Sequence, residues 1–587
     1  MSQTSRKLLL LGGILLLSFI VKFPLTETGF IHRDDPAYIT ENPLIREFSM
    51  GGIVKIFATP EYMADYHPLA LTLFSLEYSV FRDSPYGYHA VSIFLDLCIT
   101  ALVFLFVHRL SATLTVAGIA ASLFALHPTH IESVAWASEQ KDLLYGFFYL
   151  CSLLAYVRYA RENRSWSMYA LSLAAFILSL MSKMMAAPLA FVLPALDYLI
   201  GRAFSRRVWL EKIPFIACAL IFGIFELGAH KEIGSMLGDI SYGLWGRIVL
   251  ASYALTGYLG KLIVPVNLSA YYPFPFSPGN IPGAAVLYVA GCLLLLAGTA
   301  YSLKFTRKIF FGVTFFILNI AVILQFVPAI GAFMADRYTY IASIGIFYLA
   351  AEGANVVMMR SQIHRRLVTG AVVLLILFLA AGSMSRAGVW KDETLLWSNV
   401  LEHYPDVAFV YVYRANSRHM PTEYDSAMSD IARALELEPE LGIGYYSRAY
   451  LESLHGDHNV AIRDYGRAIA LKYKPVNAYS NRGSSYASLG KYREAANDYS
   501  SAIQLDPGYA DAYFNRGNIF LTTGEFSQAE KDYDRSIALN PADGESLYNR
   551  GMAKSRLGNA MGACDDFRKA DRLGFPRARD AVAEFCR

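Results

Sequence analysis

Apolar runs long enough to cross a bilayer recur through the first 384 residues, at 7–24, 88–107, 112–127, 143–160, 167–182, 185–201, 213–229, 284–303, 308–328, 339–359 and 367–384. They predict about eleven membrane-spanning helices. A twelfth run, 246–266, is interrupted by Gly257, Gly260, Lys261 and Pro265. Charge decides its status. With Arg6 and Lys7 inside, eleven spans leave five basic groups in cytoplasmic loops: Arg109; Arg158, Arg161 and Arg164; Arg202, Arg206, Arg207 and Lys212; Lys304, Arg307 and Lys308; and Arg360, Arg365 and Arg366. A twelfth span would send the last two groups outside, against the excess of Lys and Arg in cytoplasmic loops. The run 246–266 is therefore read as non-spanning, and the chain after residue 384 lies outside, which in a bacterial inner membrane means the periplasm. No small-residue cleavage signature follows the first run before Phe23-Pro24, so it reads as an uncleaved anchor.

From about residue 405 the pattern changes to amphipathic helices repeating every 34 residues, marked by Arg414, Arg448, Arg482, Arg516 and Arg550. Pro439, Pro507 and Pro541 close helical pairs, and Gly483, Tyr486, Gly490, Tyr492, Ala495, Tyr499 and Ala502 fill the small and aromatic positions of one repeat. This is the tetratricopeptide pattern. The expected fold is all-α: a polytopic membrane domain over 1–384, a linker or leading helix over 385–404, and a solenoid of about five repeats with a C-terminal cap over 405–587. Such a solenoid offers an inner groove to an extended peptide. Tyr479, Asn481, Tyr513 and Asn515 are its candidate acceptor-binding residues, or else they pack and hydrogen-bond within the repeats.

Composition agrees with this division. The 587 residues are 55% hydrophobic and 17% charged, which excludes a single soluble domain and excludes disorder. Residues 1–384 hold 27 Lys and Arg against 21 Asp and Glu, while 385–587 hold 25 against 28, so the two parts suit different solvents. Of six cysteines, Cys98, Cys151, Cys218 and Cys292 sit in apolar runs and read as packing residues. Cys564 and Cys586 flank the last helical pair in a compartment that permits disulfides, and are expected to staple the cap.

Four polar clusters fall on the outer side of the predicted topology. The first is His32-Arg33-Asp34-Asp35-Pro36 after span one, where adjacent carboxylates suit a general base, a metal ligand or a helix cap. The second comprises Glu61, Tyr66, His67, Pro68, Tyr88 and His89, with Asp96 deeper in span two, a costly place for an acid without a partner. The third is His127-Pro128-Thr129-His130-Ile131-Glu132 with Ala135-Trp136 and Glu139-Gln140-Lys141-Asp142. It can hold a divalent cation, contact a donor phosphate through Lys141, or make ordinary loop hydrogen bonds. The fourth is Asp336-Arg337-Tyr338, in which Arg337 offers a fork to phosphate oxygens and Asp336 can neutralise it. Lys183, between spans five and six, is a further candidate cation or an interface residue. No Gly-rich phosphate loop, serine-hydrolase elbow or Cys-rich metal motif is present, so nucleotide hydrolysis and serine-hydrolase chemistry lack support. No nucleic-acid partner is expected.

Tyr66-His67-Pro68-Leu69, the segment from Leu126 to Trp136, Lys141-Asp142, Ser182-Lys183, Gly260-Lys261-Leu262, Tyr271-Tyr272-Pro273 and Met334 to Tyr340 resemble bacterial relatives of the transmembrane and tetratricopeptide-repeat (TMTC) family. Gln140, Ser92 and Asp96 depart from that pattern, which has a basic residue, an asparagine and a histidine there. The family is similar to protein O-mannosyltransferases of the GT-C membrane fold. The resemblance implies that Asp34 and Asp35 match the catalytic acidic pair of the first loop and that Asp336-Arg337-Tyr338 matches the outer motif. It also implies transfer, with inversion, from a polyprenyl-phosphate sugar to Ser or Thr of a periplasmic protein. Arg337, Lys141, Lys183, His127, His130, Glu132 and Tyr338 would hold the donor, and the repeats the acceptor. A divalent cation is compatible with this set. The alternatives are a non-catalytic membrane-anchored repeat scaffold and a GT-C transferase with a lipid or glycan acceptor.

Overall fold

The computed structural model describes residues 2–59, 66–162, 165–232, 242–324, 333–418 and 421–586, with 226–232 described by backbone alone; Glu61 and Arg164 lie outside these ranges. Among the described residues every regular element is helical. The chain divides into two compact units, Met1–Pro405 and Asp406–Arg587.

Among the described residues of the first unit seven helices are long and apolar enough to cross a membrane: Gln3–Glu27, Pro85–Ser111, Ala137–Arg161, Arg206–Phe225, Gly283–Ser302, Asp336–Met358 and Gln362–Trp390. Leu114–Leu126 and Pro128–Ala135 form an eighth candidate, bent by 54°. Pro128 explains the break, because its ring removes an amide and forbids a straight continuation. The expected count of about eleven is thus not reached by this measure. The runs predicted at 167–182 and 308–328 give helices of 17 and 15 residues, Trp166–Ser182 and Arg307–Ala321. The run at 185–201 gives the short Met184–Leu199. Leu244–Ile263 is a 20-residue helix but, with Arg247 and Lys261 in it, is not among the candidate spans.

The long helices run between two charged layers. Gln140–Arg161 has 22 residues, about 33 Å at ~1.5 Å per residue, close to a hydrocarbon core of ~30 Å. Lys141 and Asp142 stand at its first turn. At its other end Glu162 pairs with Arg158 at 2.8 Å and with Arg109 at 3.0 Å. The acid buried in span two is neutralised, since Lys22 Nζ lies 2.5 Å from Asp96 and the Tyr340 hydroxyl donates to the same carboxylate at 2.8 Å. Gln140 donates to Glu77 at 2.9 Å and to the Tyr88 carbonyl at 2.7 Å.

Residues 385–404, expected to be a linker or leading helix, fall within the first unit. Gln362–Trp390 ends within them, and Asp392 caps the helix Glu393–His403 by accepting from the Leu395 amide at 3.0 Å. They are held because Arg386 donates to Asn399 at 2.8 Å and Glu393 accepts from Trp397 at 3.1 Å.

The second unit is five helical pairs, from Ala408–Asn416 with Tyr424–Leu437 to Gly544–Arg556 with Ala560–Arg572, and a final helix Ala578–Phe585. The periodic arginines fasten each pair to itself. Arg414 meets Asp430, Arg448 meets Asp464, Arg482 meets Asp498, Arg516 meets Asp532 and Arg550 meets Asp566, each partner 16 residues on and each by two hydrogen bonds. A Cβ at residue 517 would come within 2.9 Å of the Tyr533 ring, so any residue larger than glycine forces that ring to shift. Cys564 and Cys586 form a disulfide with Cα atoms 5.3 Å apart, tying the last helix to the fifth pair.

Candidate active site

The first-loop acids differ sharply in environment. Asp35 precedes Pro36, whose fixed φ starts the short helical turn Pro36–Thr40 and turns the aspartate inward. It is fully buried, and its two oxygens accept from the Ile31 amide at 2.8 Å and the Ser138 amide at 2.9 Å. Burial pushes its pKa up to about 7, against those two amides, which favour the anion. Asp35 thereby pins the first loop to the turn before Gln140–Arg161. Asp34 is half-buried, and no hydrogen bond or ion pair engages its carboxylate among the described residues. The loop is also tied down at His32, whose amide and ring nitrogen bond Glu393 at 3.1 and 2.8 Å. The hydrogen bond to Glu393 raises the imidazole pKa, with burial opposing it.

Beside this loop lies a buried network of acids and bases. Arg337 forks between Glu132, which also accepts its amide at 3.2 Å, and Glu139 at 3.4 Å. Glu139 reaches Lys183 at 2.9 Å and Lys141 at 3.6 Å, and Lys183 reaches Asp142 at 2.6 Å. Asp336 accepts from the Tyr272 hydroxyl at 2.7 Å and faces Arg386 at 4.0 Å. Charges buried at this density persist only when paired. The acid loop and the network share two aromatic rings. Arg33 and Arg337 both lie over Trp136, at 5.7 and 5.2 Å, and Lys141 lies 4.1 Å from the Tyr38 centroid.

Two buried indole N–H donors here, Trp136 Nε1 and Trp390 Nε1, have no acceptor among the described residues, while Arg337 Nε and Arg386 Nη2 face the carboxylates of Glu139 at 3.4 Å and Asp336 at 4.0 Å without hydrogen-bond geometry. The four side chains are adjacent, with the indole rings 5.9 Å apart, Arg337 over Trp136, and Arg386 5.8 Å from Trp390. An unsatisfied buried donor costs ~1–3 kcal/mol, so such a cluster is suited to an oxygen-rich ligand.

The predicted donor residues thus fall into two sets. Arg337, Lys141, Lys183, Glu132 and Tyr338 come together here, Tyr338 with its ring 4.9 Å from the Arg337 guanidinium. The two cations Arg337 and Lys183 are engaged by carboxylates, whereas Arg33 is half-buried and meets Trp136. His127 and His130 instead knit helices together. His127 bonds Thr129 at 2.8 Å and the Leu262 carbonyl at 3.2 Å; His130 bonds the Phe124 carbonyl at 2.8 Å and Ser343 at 3.2 Å. In the repeats Asn481 donates to Tyr446 at 3.0 Å, and the rings of Tyr479 and Tyr513 lie under Arg482 and Arg516. No hydrogen bond engages the Asn515 side chain among the described residues. Arg386, Trp390 and Glu393 were not anticipated. An arginine at the end of the last apolar run was the available signal, since a charge there needs a partner.

Residues 65–227 match the family model described as dolichyl-phosphate-mannose-protein mannosyltransferase, a stretch holding Glu132 to Asp142 and Lys183 but not the first-loop acids. Residues 483–524 and 510–543 match tetratricopeptide-repeat models. Protein O-mannosyl-transferase F38B6.6 of Caenorhabditis elegans is 25% identical over 64% of this chain and 54% of its own length. Protein O-mannosyl-transferase Tmtc1 of Drosophila melanogaster is 29% identical over 34% of this chain and 24% of its own. Among solved structures, YrrB, titled a TPR protein with an unusual peptide-binding site, aligns with 32% of this chain and 97% of its own at 17% identity, with a TM-score of 0.29. The chain spans about half the length of the worm relative, and less of the fly one. It joins a mannosyltransferase-type membrane region to C-terminal tetratricopeptide repeats, and its relatives are named as TMTC protein O-mannosyl-transferases.

Proposed function

We propose that this protein is an inverting GT-C glycosyltransferase that moves a sugar from a polyprenyl-phosphate donor to Ser or Thr of a periplasmic protein. The observation that carries the reading is a carboxylate, Asp34, with no hydrogen bond or ion pair among the described residues, on a loop whose Arg33 lies over Trp136, one of two adjacent indoles whose buried N–H groups have no acceptor among those residues. The matches to mannosyltransferase relatives supply the reaction class.

In this mechanism Asp34 accepts the proton of the acceptor hydroxyl as its oxygen attacks the anomeric carbon from the face opposite the phosphate. The carbon–oxygen bond to the polyprenyl phosphate breaks, and the phosphate leaves as an anion. Arg33, Arg337 and the lysines of the network stabilise that charge by fixed, preorganised groups. Asp35 is a positioning residue that holds Asp34 at the site. The unpartnered donors receive sugar or phosphate oxygens. The repeats raise the local concentration of acceptor protein by tethering. The site lies on the outer side of an inner-membrane protein whose N-terminus is cytoplasmic.

The test is transfer in membranes by wild type, Asp34→Asn and Arg33→Ala at matched expression, read as intact mass of periplasmic proteins. Asp34→Asn is expected to lower the rate by ~10²- to 10⁴-fold, the range of a lost general base. Glycan masses unchanged in Asp34→Asn would remove this assignment and leave the membrane unit as an anchor for the repeats.

A further inference from the structure

A second candidate site lies among the basic residues at the helix ends remote from the Trp136 cluster. A groove of about 370 Å³ is walled by Phe191, Tyr198, Phe204, Trp209, Leu303 and Phe310. The aromatic wall is continuous: Tyr198 meets Phe310 at 5.4 Å and Phe204 at 6.5 Å, and Phe204 meets Trp209 at 5.8 Å. These residues stand at the ends of apolar helices, where aromatic side chains of membrane proteins collect at the headgroup level.

The rim is basic, and its cations divide by partner. Arg202 is tied to Glu211 at 2.7 Å, Arg207 to Glu211 at 3.7 Å, and Lys308 to Glu352 at 2.7 Å. Arg307 pairs with no carboxylate among the described residues. It donates to the Tyr198 carbonyl at 3.3 Å and lies 5.1 Å from that ring, at the lip of the groove. Arg206 likewise has no carboxylate partner among the described residues, and it shares the short helix Arg206–Leu210 with Trp209. A hydrocarbon slot with Arg307 at its lip and Arg206 on the short helix that carries Trp209, neither paired with a carboxylate among the described residues, matches a molecule with an apolar chain and an anionic head.

We propose that this groove binds one acyl chain of an anionic phospholipid, with its phosphodiester on Arg206 and Arg307. Basic pockets between membrane helices take anionic headgroups in this way. Positive charge without a carboxylate partner favours an anionic over a zwitterionic headgroup, and the apolar wall favours a lipid over free phosphate.

The experiment titrates the delipidated full chain in detergent with phosphatidylglycerol carrying brominated acyl chains, following the tryptophan emission that Trp209→Phe removes. Quenching of that component by phosphatidylglycerol at a concentration at least roughly tenfold below that for phosphatidylcholine is expected. Arg206→Gln with Arg307→Gln should abolish the preference while leaving the phosphatidylcholine curve unchanged. Both residues border solvent or headgroups, and the single Arg206→Gln, at an exposed position, guards against misfolding by giving an intermediate shift. Equal quenching by the two lipids in wild type would overturn the proposal, as would displacement by inorganic phosphate alone. A Trp209 component that neither lipid quenches, in a protein whose mass is that of a dimer, would assign the groove to a second copy and overturn it too.

Discussion

At the scale of single residues, the two adjacent acids show how burial separates chemically identical groups. Asp35 carries a pKa of about 7 in the folded chain against 3.8 for the free side chain, so between those values the folded state holds a proton that the unfolded state has lost. Stability from this group is therefore full below about pH 4 and falls as pH rises towards 7. Thermal unfolding in detergent is expected to show a melting temperature that declines from about pH 5 to about pH 7.5, and Asp35→Asn is expected to flatten that slope. An unchanged slope would mean that the two amides hold the anion in the fold. The unpartnered indoles give a second expectation. Trp390→Phe deletes a buried N–H that has no acceptor among the described residues, so the fold should keep its stability or gain up to ~1 kcal/mol, while the KM for donor rises several-fold. A loss of stability instead would show that this N–H is satisfied within the protein.

At the scale of elements, the repeats are held by devices that recur in register. The arginine at the period of 34 pairs with an aspartate 16 residues on, and the next residue, Gly483, Gly517 or Gly551, receives the aromatic ring of the facing helix. Gly517→Ala forces a Cβ against the Tyr533 ring and is expected to cost ~1–3 kcal/mol, the range for overpacking. Hydrogen exchange in the full chain should show the loss in Ala510–Thr523 and Phe526–Leu539 and spare the first unit; uniform protection would refute the clash. The Cys564–Cys586 bond closes a short loop, with a sequence separation of 22. Replacing both cysteines by serine is expected to cost ~2–4 kcal/mol of cap stability, seen as faster proteolysis of Ala578–Phe585. An unchanged proteolysis rate would show that packing alone holds the cap.

At the scale of the molecule, the first unit sorts its charges into layers joined by apolar helices. Arg109, Arg158 and Glu162 meet at one end of Gln140–Arg161, while Lys141, Asp142, Glu139 and Lys183 meet at the other. That separation predicts sidedness. A periplasm-dependent reporter fused after residue 404 should be active, and one fused after Arg206 should be silent. Reversal of the two would place the Asp34 loop in the cytoplasm and remove the lipid-linked donor from the mechanism.

The sequence by itself determined the two-part organisation, because a bilayer demands long apolar runs and a solenoid demands a fixed period, and both are one-dimensional patterns. It also marked the polar segments of the site, since charges beside membrane spans are costly and few. Tertiary structure decided which of those charges are spoken for. Arg337 was legible as a cation, but its commitment to Glu132 and Glu139, 205 and 198 positions away, depends on helices that meet only in the fold. The same holds for Asp34 and Asp35: neighbours in sequence, they differ because Pro36 turns one toward the amides of Ile31 and Ser138 and leaves the other unengaged. Residues 385–404, read from the sequence as a linker or leading helix, show the same dependence on the fold. Their attachment rests on Arg386, Asn399 and Glu393 finding partners, and partner choice is set by three-dimensional proximity, which local composition does not encode.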